Sequence, residues 1–381
     1  MNQHNFSLRG RTQAIIKFMS SQFAALPIWS FVAPISGWAL LAGTWLVVDV
    51  GGFFTAALAA GMLACVLAAV HHAEVIAHRV GEPYGTLLLA VAVTIIEVAL
   101  IVSLMLAGGP STTALARDTV FAAVMIILNG MVGLCMLIGG SRFGEQRFGL
   151  YGVSASLATL AAIAVLTLVL PNYTTSVAGP FYSVGQLAFI AVVSIVLYST
   201  FVLVQTVRHR DYFLPKESAD DQEIHADPPS PLVAMASLVL LMACLAAVVL
   251  LAKSLAPSLE AVVIRSGAPV ALVGVIIAAV VLLPEGLAAL RAARANRLQT
   301  SLNLALGSAL ASIGLTIPAV AIVSIATGWS LTLGLDNKSS VLLLLSLFVA
   351  TLSLGTGRTT VLQGVVHLVI FATYLFTTIV P

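Results

Sequence analysis

The chain has 381 residues, 60% of them hydrophobic and only 8% charged, with a mean hydropathy of +1.08. Soluble domains carry about 25% charged residues, so this composition excludes a soluble enzyme or binding module and points to an integral membrane protein. A net charge of +2 gives no electrostatic basis for a nucleic-acid partner.

The N-terminal tail, residues 1–28, is polar to amphipathic and carries Arg9, Arg11 and Lys17. The apolar run behind it is about 20 residues long, too long for a signal-peptide core, and no small-residue cleavage site follows. It reads as an uncleaved membrane helix, residues 29–50, entered from a cytosolic tail. Apolar runs long enough to span, about 20 residues each, then recur. The full set is 29–48, 51–70, 86–107, 119–139, 150–170, 185–207, 232–252, 269–290, 302–327, 339–357 and 359–380. The runs are continuous rather than alternating, which excludes a β-barrel. The fold class expected is an all-α integral membrane protein of about eleven transmembrane helices.

Basic residues orient the spans, because cytosolic loops retain lysine and arginine. With the N-terminus inside, Arg9, Arg11, Lys17, Arg79, Arg142, Arg147, Arg208, Arg210, Lys216, Arg291, Arg294, Arg297 and Arg358 fall on the cytosolic side. Arg117, Lys253, Arg265 and Lys338 fall outside, as does the C-terminus. Residues 208–231, RHRDYFLPKESADDQEIHADPPSP, are acidic, contain proline and lack apolar periodicity. They read as a solvated cytosolic linker, with regulatory cation sensing as the alternative. Cys65, Cys135 and Cys244 lie in apolar spans without metal or disulfide spacing, and read as small packing residues.

Fifteen residues are acidic, yet only Glu97 in VTIIEVAL and Glu285 in VLLPEGLA sit inside spans. An acid at mid-membrane costs roughly 2.5–3.5 kcal/mol on insertion scales. No lysine or arginine lies within any span, so an ion pair does not offset that cost. Setting aside the first helix, the linker divides ten helices into 51–207 and 232–381, five in each set. Each acid lies in the second helix of its set. Because five is odd, the sets enter the membrane from opposite sides, the pattern of an inverted repeat. The two carboxylates are then expected to meet near the midplane. Pro284 before Glu285 and Gly286 after it predict a broken helix with freed carbonyls. Carboxylates with such carbonyls form a hard-oxygen site for a cation. The third helix of each set adds polar candidates: Asn129 in IILNGMVG, and Asn303, Ser308, Ser312 and Thr316 in NLALGSALASIGLTIP. Close helix packing is the alternative role for the small ones.

Two further patterns carry less. In HHAEVIAH, His71, Glu74 and His78 share one helical face at the cytosolic end. The order is not that of an H-E-x-x-H metalloprotease, so an amphipathic interfacial turn is expected. His367, in the last span, reads as a core histidine bonded to a neighbouring helix, with a proton relay as the alternative.

The stretches HHAEVIAHRVGEPYGTLLLAVAVTIIEVAL, ARDTVFAAVMIILNGMVGL, LLPEGLAALRAA, NLALGSALASIGLTIPAV and LGTGRTTVLQGVVHL resemble the bacterial cation/proton exchanger branch of the calcium/cation antiporter superfamily, over essentially the whole chain. The resemblance implies eleven helices, one extra helix plus two inverted five-helix repeats, in the bacterial inner membrane. It also implies exchange of Ca²⁺, Na⁺ or K⁺ for protons, with Glu97 and Glu285 as the ion-binding acids. The superfamily motif G-N-A-x-E appears here as Val93 to Glu97 and Val281 to Glu285, so Thr94 and Leu282 stand at the asparagine positions. The G-S-A of the second repeat is kept at Gly307, Ser308 and Ala309.

These readings combine into an expected chemistry. Proton and cation compete for the same two carboxylates; either neutralises the site for crossing, and the empty, doubly charged site does not cross. Thr94, Asn129, Pro284, Asn303, Ser308 and Ser312 are the candidate lining residues. The cargo is inorganic cations and protons, with the bilayer as partner and no cofactor required. Strict Ca²⁺ selectivity, a passive channel and an intramembrane hydrolase are the rival readings. The last two lack the filter repeats or the metal or serine constellation they need.

Overall fold

The computed structural model of the chain describes residues 26–46, 52–81, 84–213, 229–265, 267, 269 and 271–380. A chain in hydrocarbon must satisfy its backbone groups within each segment, so every long apolar run becomes a helix. Eleven result: α1 (Ile28–Leu46), α2 (Gly52–Val80), α3 (Tyr84–Gly108), α4 (Leu115–Phe143), α5 (Leu150–Tyr173), α6 (Val184–Arg208), α7 (Pro231–Arg265), α8 (Ala271–Arg294), α9 (Leu298–Thr327), α10 (Asn337–Leu354) and α11 (Val361–Ile379). Nine are long and apolar enough to cross a membrane among the described residues, and α1 and α3 hold the shorter apolar stretches Ile28–Thr44 and Val91–Leu106.

Each apolar run has its helix, but several ends differ from expectation. The helix predicted over 51–70 continues to Val80, so HHAEVIAH is regular helix and not a turn. The helix predicted over 232–252 continues to Arg265, which brings Lys253 inside α7 instead of a loop. Its 35 residues extend about 52 Å at 1.5 Å per residue, well beyond a hydrocarbon core of about 30 Å. The break expected at Pro284 is also absent: α8 runs through it. Proline removes one ladder bond, the one to the Val280 carbonyl, while the remaining bonds carry the helix on. Irregularity appears instead as π segments: Ile126–Met131 in α4, which contains Asn129, Val165–Val169 in α5 and Val204–Arg208 in α6. Residues 1–25 of the N-terminal tail and residues 214–228 of the acidic linker lie outside the described residues.

The chain gathers into two compact units that take pieces from both halves of the sequence. One comprises Met1–Leu89 and Ile224–Leu251. Within it α1 packs on α2, and Gly37 is needed there because a Cβ would come within 2.5 Å of Cys65 Sγ. The Trp38 indole donates to the Ala243 carbonyl at 3.2 Å.

The other unit comprises Ala90–Glu223 and Ala252–Pro381. Here α11 packs on α4, α6 packs on α9, and α8 lies against both α4 and α9. The loops pair as well. Strand β1 (Gln146–Arg147), between α4 and α5, runs antiparallel to β2 (Arg358–Thr359), between α10 and α11. Arg142 donates to the Arg294 carbonyl, and Gln146 to Asn296 Oδ1 at 2.9 Å. The loops after α4, α8 and α10 therefore share one end of this unit. A single bridge joins Phe181 to Thr332, Arg117 donates to the Gly334 carbonyl, and Asn172 to that of Leu335. The loops before α4, before α6 and after α9 share the other end. That alternation is what helices crossing one layer in turn require.

Candidate ion-binding site

Glu97 is only 3% exposed, on a face of α3 that also buries Val93, Thr94, Ile96, Leu100 and Ile101. Its carboxylate accepts a hydrogen bond of 2.5 Å from the Ser312 hydroxyl on α9. Ser312 is itself 1% exposed. A short bond from a neutral donor to a carboxylate in an apolar interior is the stronger, charge-assisted kind, so the sequence pair Glu97 and Ser312 is one structural site. Thr94 lies one turn before Glu97, buried, and Ser308 lies one turn before Ser312, half-buried. An apolar groove of about 370 Å³ runs between α3 and α9, lined by Thr94, Ile95, Val98, Ala99, Val102, Leu315 and Ala319. Such walls give a cation nothing to replace its water, so the polar face at Glu97 is the place that could hold one.

Glu285 and Pro284 are half-buried in α8. That helix packs on α9 and on the π turn of α4, and Gly286 faces Met131 of that turn. The shared partner of both acid-bearing helices is thus α9: it meets α3 through Ser312 and packs along α8.

Asn129 is fully buried in the π turn. Its amide nitrogen donates to Ser346 Oγ at 2.8 Å, and its carbonyl oxygen faces His367 Nδ1 at 3.2 Å. His367 Nε2 lies 2.8 Å from Ser353 Oγ. His367 is therefore a core histidine bonded to neighbouring helices, as its position in an apolar span suggested. Asn303 belongs elsewhere. It pairs with Gln299 and with the Phe213 carbonyl, nine residues before Ser312, or about 13 Å along α9. It ties α9 to the end of the α6 segment and is not brought to Glu97. Thr316 is buried one turn beyond Ser312.

The HHAEVIAH helix also differs in detail from its sequence reading. Glu74 and His78 are exposed and His71 half-buried against the Trp29 ring. The buried histidine is His72, whose ring nitrogens lie 3.4 Å from Ser237 Oγ and 3.1 Å from the Ser30 carbonyl. Among the described residues no three His, Cys, Asp or Glu side chains form a metal cluster. Sequence reading passed over His72, Ser346 and Ser353. Ser346 and Ser353 share one face of α10 at a seven-residue interval, which is the signal that could have drawn attention to them.

The sodium/calcium exchanger protein family model matches residues 24–207 and 236–380. The chain belongs to the sodium/calcium exchanger family. The exchanger is 52% identical over 361 residues to the "Putative ionic transporter y4hA" of Sinorhizobium fredii, covering 94% of this chain and 98% of that one. It is 39% identical over 319 residues to the sodium-potassium/proton antiporter ChaA of Escherichia coli, covering 83% and 86%. Among solved structures, native YfkE superposes with a TM-score of 0.69 at 18% identity, over 93% of the exchanger and 100% of YfkE. The H⁺/Ca²⁺ exchanger CAX superposes at 0.67 and 15%, over 91% and 88%. These two likenesses establish the fold. With the family they make the chain a multi-pass membrane transporter of cations and not an enzyme.

Proposed function

We propose that the exchanger is a secondary active cation/proton antiporter, moving Na⁺, K⁺ and Ca²⁺ against protons by alternating access. Proton and cation compete for the carboxylates of Glu97 and Glu285, with Thr94, Asn129, Ser308, Ser312 and the carbonyls near Pro284 as supporting oxygens. The observation that carries this reading is Glu97: a carboxylate 3% exposed in an apolar span, with the neutral Ser312 hydroxyl as its hydrogen-bond donor. A bound cation or proton is what offsets its cost. The identity to the sodium-potassium/proton antiporter ChaA supports monovalent cargo. The Ca²⁺ arm rests on the fold shared with CAX and on the hard-oxygen donors. Coupling separates this reading from a channel: in everted vesicles with no proton gradient imposed, a gradient of Na⁺, K⁺ or Ca²⁺ should drive protons uphill in the opposite direction. A response to Ca²⁺ alone at alkaline pH would favour strict Ca²⁺ exchange.

The inverted repeat of α2–α6 and α7–α11 is part of the proposal. Under it α4 corresponds to α9 and α6 to α11, so the packing of α11 on α4 has its mate in that of α6 on α9. The β1–β2 ladder and the Phe181–Thr332 bridge are likewise mates, one at each end. The orientation, with N-terminus cytosolic and C-terminus outside in a bacterial inner membrane, is supported by the basic loops. A C-terminal reporter active only outside the cytosol should work, and a cytosol-only reporter should be silent.

A further inference from the structure

His367 is fully buried on α11, outside the helices that carry the acids and their proposed oxygen donors. Gly133 explains how it reaches α4: a Cβ there would come within 2.9 Å of His367 Cβ. The hydrogen-bond directions then follow from one end. The Ser346 hydroxyl donates to the Leu342 carbonyl at 2.6 Å, so its oxygen must accept from the Asn129 amide nitrogen at 2.8 Å. That turns the Asn129 carbonyl oxygen towards His367 Nδ1 at 3.2 Å. Two acceptors cannot face each other in a buried place, so Nδ1 carries the ring hydrogen. In the neutral ring Nε2 must then accept, and the Ser353 hydroxyl, which lies 2.8 Å from Nε2 and 2.8 Å from the Val349 carbonyl, turns its one hydrogen to the ring. One ordered chain thus runs Ser353, His367, Asn129, Ser346 across α10, α11 and α4.

We infer that His367 is a positioning residue for cation exchange, its Nδ1–H holding the Asn129 carbonyl oxygen in place within the π turn. The inference rests on the proposed role of Asn129 at the ion site. A π turn carries one residue more than a regular helical turn, and π turns recur at functional positions. Here its buried amide is held from α11.

Two nearly isosteric variants separate the ring nitrogens. His367→Asn keeps a donor near the Nδ1 position and loses the reach to Ser353. His367→Gln keeps a polar group near the Nε2 position and loses the donor to Asn129. The measurement is proton flux in everted vesicles across a range of Na⁺, K⁺ and Ca²⁺ concentrations, with folded protein quantified by size exclusion. His367→Gln should raise the cation KM about five-fold, the size of one lost neutral hydrogen bond, with a smaller change in maximal rate. His367→Asn should stay within about two-fold of native, and Asn129→Ala should add little on a His367→Gln background, since coupled residues are not additive. Equal KM shifts for His367→Asn and His367→Gln, with Asn129→Ala impaired, would overturn the positioning role alone. Native-like exchange by Asn129→Ala would overturn both that role and the placement of Asn129 at the site. Loss of folded protein in both His367 variants would assign the residue to stability and also overturn the inference.

Discussion

The two acid-bearing helices occupy matching places in the chain but are built differently. On the Glu97 side, α3 is regular, and the carboxylate is enclosed and bonded to Ser312 of α9, a helix that carries Pro318 six residues further on. On the Glu285 side, α8 carries Pro284 within the helix, and its partner α4 changes to a π turn at Asn129. One side holds its acid by a side-chain donor. The other gathers backbone irregularity, which leaves carbonyls such as that of Val280 without their usual helical donor. In the proposed site a polar side chain on one side and a disturbed ladder on the other would each make the apolar interior hospitable to a cation.

The hardest test of that comparison removes each acid. If both sides are needed, Glu97→Gln and Glu285→Gln should each abolish cation-driven proton flux with folded protein at native levels. Substantial flux in either variant, with any cation, breaks the two-sided site. Next in size is Ser312→Ala, which deletes the donor on the enclosed side. A hydrogen bond to a charged group contributes about 1.5–3 kcal/mol, so the cation KM should rise tenfold or more, read from the same flux titration. A third experiment adds oxygens. Thr94→Asn combined with Leu282→Asn supplies two amide carbonyls at matching positions, and a divalent ion gains more from each dipole than a monovalent one. The ratio of Ca²⁺ to Na⁺ flux should increase several-fold. An unchanged ratio would detach these two positions from the site. The smallest effect is expected from the acidic linker: deleting 217–227 should leave the maximal rate near native and alter at most its activation by Ca²⁺ or pH.

Hydropathy made much of this architecture legible. Each apolar run became a helix, Glu97 lies where an unpaired acid in VTIIEVAL had to be explained, and Ser312 is its hydrogen-bond donor. Hydropathy reports where the chain is apolar, however, and not where a helix ends. For that reason α2 continues through HHAEVIAH and α7 through Lys253. Pro284 reads as a breaker because an isolated helix suffers from it, while a helix held by neighbours on both sides loses only one bond. The π turn at Asn129 leaves no mark in an apolar pattern, since one extra residue shifts the period too little to see over a single turn. Asn303 looked equal to Ser312 because both are polar residues of one helix. Depth along α9, fixed by Gln299 and Phe213, is what separates them.

The bonds of Asn129 also bear on the order in which the molecule can be assembled. Its partners Ser346 and His367 lie 217 and 238 residues further along the chain, and β1 waits for β2 in the same way. During synthesis α4 is inserted long before α10 and α11 exist, with a buried amide that nothing yet satisfies. The first half of the sequence therefore cannot complete its own packing as an independent bundle. Helices α10 and α11, made later than α4, close the interior of the first half, and a chain truncated before α11 should be retained or degraded as an unfinished fold.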